Sequence, residues 1–266
     1  MELHCEKNEI SYILESGLHE WKRDSSHTVF LEEEGLKIPR IWAPTLRKVG
    51  SPLTIILAAG LHLEETSGSH LLLSPSLFRE TRGKGFNLLI YPVINQSGLK
   101  YPREADEKLL RYSRGYNLNT GWGLSCPKAP EVAIVEKDLK TFVSSARKKP
   151  ILFISLHEDS EYPPRGYIFT NGLSAEKIRA LSQRIEQKIA KSMLAKASEL
   201  PYKGTGSVQK GYIIAEDQDP GSMENWINDS FGIPAILIEA PYGASLQDRI
   251  SFHQNLINAA IKIISS

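Results

Sequence analysis

The chain has 266 residues, 41% hydrophobic and 24% charged, which suits one large or two small globular domains with a substantial core. A net charge of +1 offers no strong field for nucleic acid or an anionic membrane, so the expected partner is a small molecule or peptide. Cys5 and Cys126 form no close pair, which argues against a disulfide framework or a cysteine-held zinc.

The opening segment "MELHCEKNEISYILESGLHEW" is charged throughout and lacks the unbroken apolar core of a signal peptide. No later segment approaches the ~18 apolar residues of a membrane span, so a soluble, cytoplasmic protein is expected. The first ~50 residues read as an N-terminal helix and a strand pair packed on a single domain spanning 1–266. Four apolar runs then follow at 53–60, 86–94, 150–157 and 233–241, short, rich in Ile and Leu, and bounded by Gly, Pro or charge. Such runs predict strands covered on both faces. Between and after them lie predicted helices. The helix over 129–149 opens with Pro130 and Glu131 and closes on a basic cluster. Another over 174–200 repeats Ile178, Leu181, Ile185 and Ile189 at helical spacing, and a last one covers 245–265. Strands alternating with helices predict an α/β fold with a central mixed, largely parallel sheet flanked by helices. The segment 95–130 is polar, Gly-rich and weakly periodic, a loop long enough to be functional.

In open α/β sheets, ligands sit beyond the carboxyl ends of the strands. After the first apolar run come His62 and Glu65; after the second, Asn95 and a loop containing Arg103; after the third, His157, Glu158 and Asp159. Glu239 lies within the end of the fourth. Two histidines and a glutamate make the ligand set of a catalytic zinc, and a further carboxylate is the general base that zinc hydrolysis requires. Each residue also has a plainer reading. His-x-x-Glu can be a solvated helix start, where acids suit the positive end of the dipole, and a lone strand-end histidine is more often structural. Glu239 resists dismissal, because a carboxylate in "AILIEAP" must be paired or used. His4, His19, His27, His70 and His253 read as structural or surface residues, with His70 the main rival ligand.

In chain order, "GLHLEETSG", "VINQSGLKYPREAD", "GYNLNTGW", "APEVAIVEKDL", "ISLHED", "DPGSMENW" and "PAILIEAP" resemble the zinc carboxypeptidase family, particularly its bacterial murein-peptide amidase branch. The resemblance covers roughly residues 50 to 260. It implies a zinc-carboxypeptidase-like fold and one zinc per chain held by His62, Glu65 and His157, with Glu64 on a non-ligand position. Glu239 matches the family's catalytic glutamate, which takes a proton from water and passes it to the leaving amine. Asn119 matches the substrate-contacting asparagine. The arginine that steadies the oxyanion falls on Arg103, with Arg111 fitting nearly as well.

Two positions depart from the pattern. Thr120 stands where an arginine usually clamps a terminal carboxylate, and a neutral hydroxyl cannot form that bidentate fork. Tyr212 is the nearest candidate for the family's downstream tyrosine, and Glu216, Asp217 and Asp219 beside it would suit an amine or cationic substrate group. The resemblance therefore implies a zinc peptidase or amidase acting on a small peptide, cell-wall-derived peptides included. The related succinylglutamate desuccinylase and aspartoacylase group, which cleaves N-acyl amino acids, shares the ligand pattern and stays open. A catalytically silent binding protein of the same fold is a third alternative, opposed by the intact His62, Glu65, His157 and Glu239.

Overall fold

The four apolar runs become the parallel heart of a sheet. In the computed structural model, which describes residues 2–24, 26–33, 35–48, 52–100, 112–113, 116–125, 128–146, 150–159, 165–195, 213–215 and 221–265, they form β3 (Leu53–Ala59), β4 (Phe86–Tyr91), β7 (Leu152–Asp159) and β10 (Ala235–Pro241). Strand β7 runs two residues further than its apolar composition suggests, so Glu158 and Asp159 belong to it and do not follow it. The pairs β4/β3, β3/β7 and β7/β10 are parallel, so all four carboxyl ends open on the same edge.

The strand next to this heart on either side runs antiparallel to it. On one side β2 (Leu36–Ala43) pairs with β4 and β1 (His27–Glu33) with β2; on the other β8 (Tyr167–Asn171) pairs with β10. A short β9 (Ile213–Ala215) runs parallel to β8 and completes an eight-stranded mixed sheet in the order β1-β2-β4-β3-β7-β10-β8-β9. A separate two-stranded ribbon joins β5 (Tyr112–Ser113) to β6 (Tyr116–Asn117).

Alternation along the central strands splits the apolar residues between two cores. Ile55, Leu57, Leu88, Ile90, Ile154, Leu156, Ile236 and Ile238 face one core. There they meet α1 (Glu2–Arg23), α2 (Thr66–Leu72), α6 (Ala175–Lys188) and α8 (Leu246–Ile264). Ile56, Ala58, Leu89, Tyr91, Phe153 and Ala235 face the other, covered by α5 (Pro130–Ser145) and α7 (Met223–Phe231). Two short helices, α3 (Arg79–Gly83) and α4 (Gln96–Lys100), flank β4.

Helix ends follow local chemistry. Ser174, Ser222 and Ser245 each accept a hydrogen bond from the backbone N–H three residues on, capping α6, α7 and α8. Helix α6 stops at Lys188, short of the run predicted to residue 200, because Ile189 turns extended and a 3-10 turn follows over Lys191–Met193. Strand β8 and helix α7 have no counterpart among the predicted elements: "YIFTN" is short and half polar, and "MENWINDSF" is only nine residues long.

Candidate metal centre

At the carboxyl end of β3 the chain must turn sharply. Gly60 does so at φ +64°, where a side chain would be strained and a Cβ would lie 2.9 Å from Val93 Cα. The next residues form a turn closed by the Glu65 N–H donating to the His62 carbonyl at 3.3 Å. Asn95, at the end of β4, braces this turn: its N–H donates to the Gly60 carbonyl at 2.8 Å and its Nδ2 to the Leu61 carbonyl at 3.3 Å. Its Oδ1 accepts from the Gly98 N–H at 2.8 Å.

The turn delivers His62 and Glu65 to the end of β7. Nδ1 of His62 lies 2.6 Å from Glu65 Oε1, and Nδ1 of His157 lies 2.8 Å from Glu65 Oε2. The two imidazole rings meet edge-on with centroids 5.6 Å apart. All three residues are buried, and one ligand atom from each lies within 4.8 Å of the others. Among the described residues this is the one such group of three, and His70, in α2, is not part of it. Burial pushes the Glu65 carboxyl up, but the charges of His62 and His157 more than offset it and hold the group well below the usual carboxylate range.

Glu239 stands beside this trio, in register with His157 on β7 and with Tyr167 on β8. Its Oε2 is buried without a hydrogen-bond partner among the described residues. Burial pushes its carboxyl well above the ordinary range, and the charges of Glu65, Asp159, Glu224 and Glu158 push it further. So many acids around two histidine nitrogens form an electrostatic arrangement that a divalent cation would relieve. Two imidazoles and a carboxylate are also the donor types zinc prefers, so the residues present fit that ion.

The acidic surroundings include residues that the sequence reading left without a role. Glu224, in the first turn of α7, is buried and accepts a hydrogen bond from Ser155 Oγ on β7. In sequence it reads as an ordinary first-turn acid after the cap Ser222, so only the packing of α7 over β7 exposes its relation to Glu239. Asp159 accepts from the Tyr167 hydroxyl. His253, read from sequence as structural or surface, is a buried residue of α8 that feels the charges of both His157 and Glu65.

Asn119 and Thr120 lie half-buried in the turn after β6. That turn is anchored to the start of α7: the Trp122 N–H donates to the Gly221 carbonyl at 2.9 Å, and the Trp122 ring packs on Trp226 at 5.6 Å. Arg103, Arg111 and Tyr212, named above as site residues, lie outside the described residues, as do Glu216, Asp217 and Asp219.

No protein-family model matches the chain, and no curated protein does. Solved structures do. A protein from Shewanella denitrificans OS217, provisionally assigned as a metallopeptidase, superposes with a TM-score of 0.69 at 20% identity, over 96% of this chain and 90% of that one. A metallo-carboxypeptidase from Burkholderia cenocepacia gives 0.67 at 15% identity, over 94% of this chain and 67% of that one. The Pseudomonas aeruginosa metallo-carboxypeptidase, solved with (2-guanidinoethylmercapto)succinic acid, gives 0.57 at 18% identity, over 94% of this chain and 68% of that one. The likeness is one of fold: a mixed, largely parallel sheet between helices, as in the metallocarboxypeptidases.

Proposed function

We propose, from the premise of a metallocarboxypeptidase-like fold, that this chain is a zinc-dependent hydrolase that cleaves an amide bond of a small peptide. One observation carries the reading. Histidine nitrogens from two separate strand ends converge on the two oxygens of one glutamate, with a further carboxylate, Glu239, in register beside them.

Zinc held by His62, Glu65 and His157 would supply a Lewis acid that polarises the scissile carbonyl and acidifies the attacking water. Glu239 takes the proton from that water on a carboxylate oxygen and passes it to the leaving nitrogen, releasing a carboxylate and an amine. Burial and the neighbouring acids raise its proton affinity, which favours taking the proton up. Arg103, with Arg111 as the alternative, steadies the developing oxyanion, and Asn119 orients the substrate. Tyr212 completes the substrate contacts. Glu224 and Asp159 add negative charge close to Glu239, which favours a substrate carrying an amine or another cationic group near the scissile bond. Peptides derived from the bacterial cell wall answer that description.

The metal assignment is tested by elemental analysis. The purified chain should carry about one zinc, the stoichiometry of a three-ligand catalytic site. The substitutions His62→Ala and His157→Ala should each abolish retention, while His70→Ala keeps it. Full zinc occupancy in the His157→Ala protein would overturn the ligand set. Glu239→Gln is nearly isosteric and should keep the metal while turnover of a peptide amide falls at least ~10²-fold. Turnover near that of the native enzyme would remove Glu239 from the proton transfer.

A further inference from the structure

Glu65 occupies the N-cap position of α2 yet makes no side-chain capping hydrogen bond. Both of its oxygens are turned instead to His62 and His157. A helix whose own cap residue is diverted in this way leaves its first N–H groups to find acceptors elsewhere. Here the acceptor arrives from another strand. The Ser67 N–H, two residues beyond Glu65, donates to Oε1 of Glu158 at 2.6 Å.

Glu158 is the residue after His157, and alternation along β7 sends the two side chains to opposite faces of the sheet. His157 faces Glu65 from one side, while Glu158 reaches α2 from the other. The second oxygen of Glu158 accepts from Nη1 of Arg249 in α8, and the Arg249 guanidinium lies over the Tyr242 ring at 5.6 Å. The Glu158 side chain is fully enclosed and that of Arg249 is 15% exposed. A buried carboxylate without a cation would be costly, and Arg249 supplies that cation. The helix also lies close on the strand, since a Cβ at Gly68 would stand 2.7 Å from the Leu156 Cβ.

We propose that Glu158, held by Arg249, is a positioning residue for the metal centre: it caps α2 in place of Glu65 and so frees the Glu65 carboxylate to serve as a ligand. The same short segment thereby carries one ligand, His157, and fixes the backbone of another. This role rests on the proposed metal site. Groups that orient ligands in this way typically contribute ~10–100-fold in metal affinity.

The test is the zinc dissociation constant, measured by competition with a chromophoric chelator at a temperature where every variant is folded. Glu158→Ala removes both hydrogen bonds and should weaken zinc binding at least ~10-fold. Glu158→Gln retains an oxygen that can accept from Ser67 but loses the ionic contact, so its affinity should fall between Glu158→Ala and the native protein. Arg249→Met should weaken zinc binding in the same direction. Ile185→Val, in the apolar core and outside this hydrogen-bonded cluster, serves as the control for lost stability and should leave zinc affinity unchanged. If Glu158→Ala does not fold, Glu158→Gln and Arg249→Met decide the matter. Native-like zinc affinity in every folded Glu158 and Arg249 variant would overturn the positioning role while leaving the metal site in place. A native protein that binds no zinc would overturn the metal site itself, and this role with it.

Discussion

Thr120 sits half-buried beside Asn119, in a turn pinned to the start of α7 through Trp122. The zinc carboxypeptidase pattern that the sequence resembles has a guanidinium at this position, and losing a charged hydrogen bond costs about 1.5–3 kcal/mol, or one to two powers of ten in affinity. A hydrolase of the proposed kind with Thr120 at this position should therefore treat a peptide and its C-terminally amidated analogue within roughly tenfold of each other in kcat/KM. Thr120→Arg should move the preference toward the free acid. A hundredfold preference for the free acid in the native enzyme would mean that another cation has taken over the clamp. Arg111 and Arg114, a few residues before Asn119 in "RYSRGYNLN", are the candidates, and Arg111→Ala and Arg114→Ala would then identify it.

Helix α1 shows how an element is locked to the sheet by a single buried cation. Arg82, in α3, has no exposed side-chain surface. Its Nη1 donates to Asp24 Oδ2, its Nη2 to the Asp24 carbonyl at 3.1 Å and its Nε to the Pro44 carbonyl at 2.9 Å. The guanidinium also lies over the ring of Trp21, whose own Nε1–H donates to the Leu72 carbonyl at 2.9 Å. One side chain thus joins the end of α1, the end of β2 and the approach to β4. Arg82→Leu would leave Asp24 with only the more exposed Arg79 at 3.6 Å and would take the donor from two carbonyls, and breaking a buried pair from one side costs about 3–5 kcal/mol. Urea unfolding should read a loss of about 3 kcal/mol with an unchanged m-value. A loss below about 1 kcal/mol would assign the docking of α1 to the apolar contacts of Ile10, Leu18 and Trp21 alone.

For the molecule as a whole, His253 sets an acid limit. Burial pushes its pKa down from 6.5 to about 3; the charge of His157 adds to that shift, Glu65 opposes it and Arg249 again lowers it. Between pH 6.5 and about 3 the unfolded chain binds a proton at His253 that the folded chain refuses. Stability therefore falls as pH drops through that window, by up to about 1.4 kcal/mol per pH unit from this group. With both proteins stripped of metal by chelator, His253→Leu should lose less stability than the native chain between pH 6.5 and 4. Parallel stability curves for the two proteins would show that His253 is not the group responsible.

Periodicity and punctuation by themselves determined the central strands, the capped helices from Ser174 and Ser245, and the placing of His62, Glu65, His157 and Glu239 near strand ends, because buried strands and amphipathic helices write their geometry into local apolar spacing. The pairing of His62 with Glu65 follows from the His-x-x-Glu spacing, and the resemblance of motifs adds that Glu64 falls on a non-ligand position. Tertiary structure alone decided the rest. Ser67, Glu158 and Arg249 are up to 182 residues apart in number, since 249 minus 67 is 182, and nothing in their local patterns links them. Glu224 likewise meets Ser155 across 69 residues. Hydrogen bonds and charge pairs between distant segments carry no local period, so they come into view only once parallel strands bring their carboxyl ends to one edge and the helices close over it.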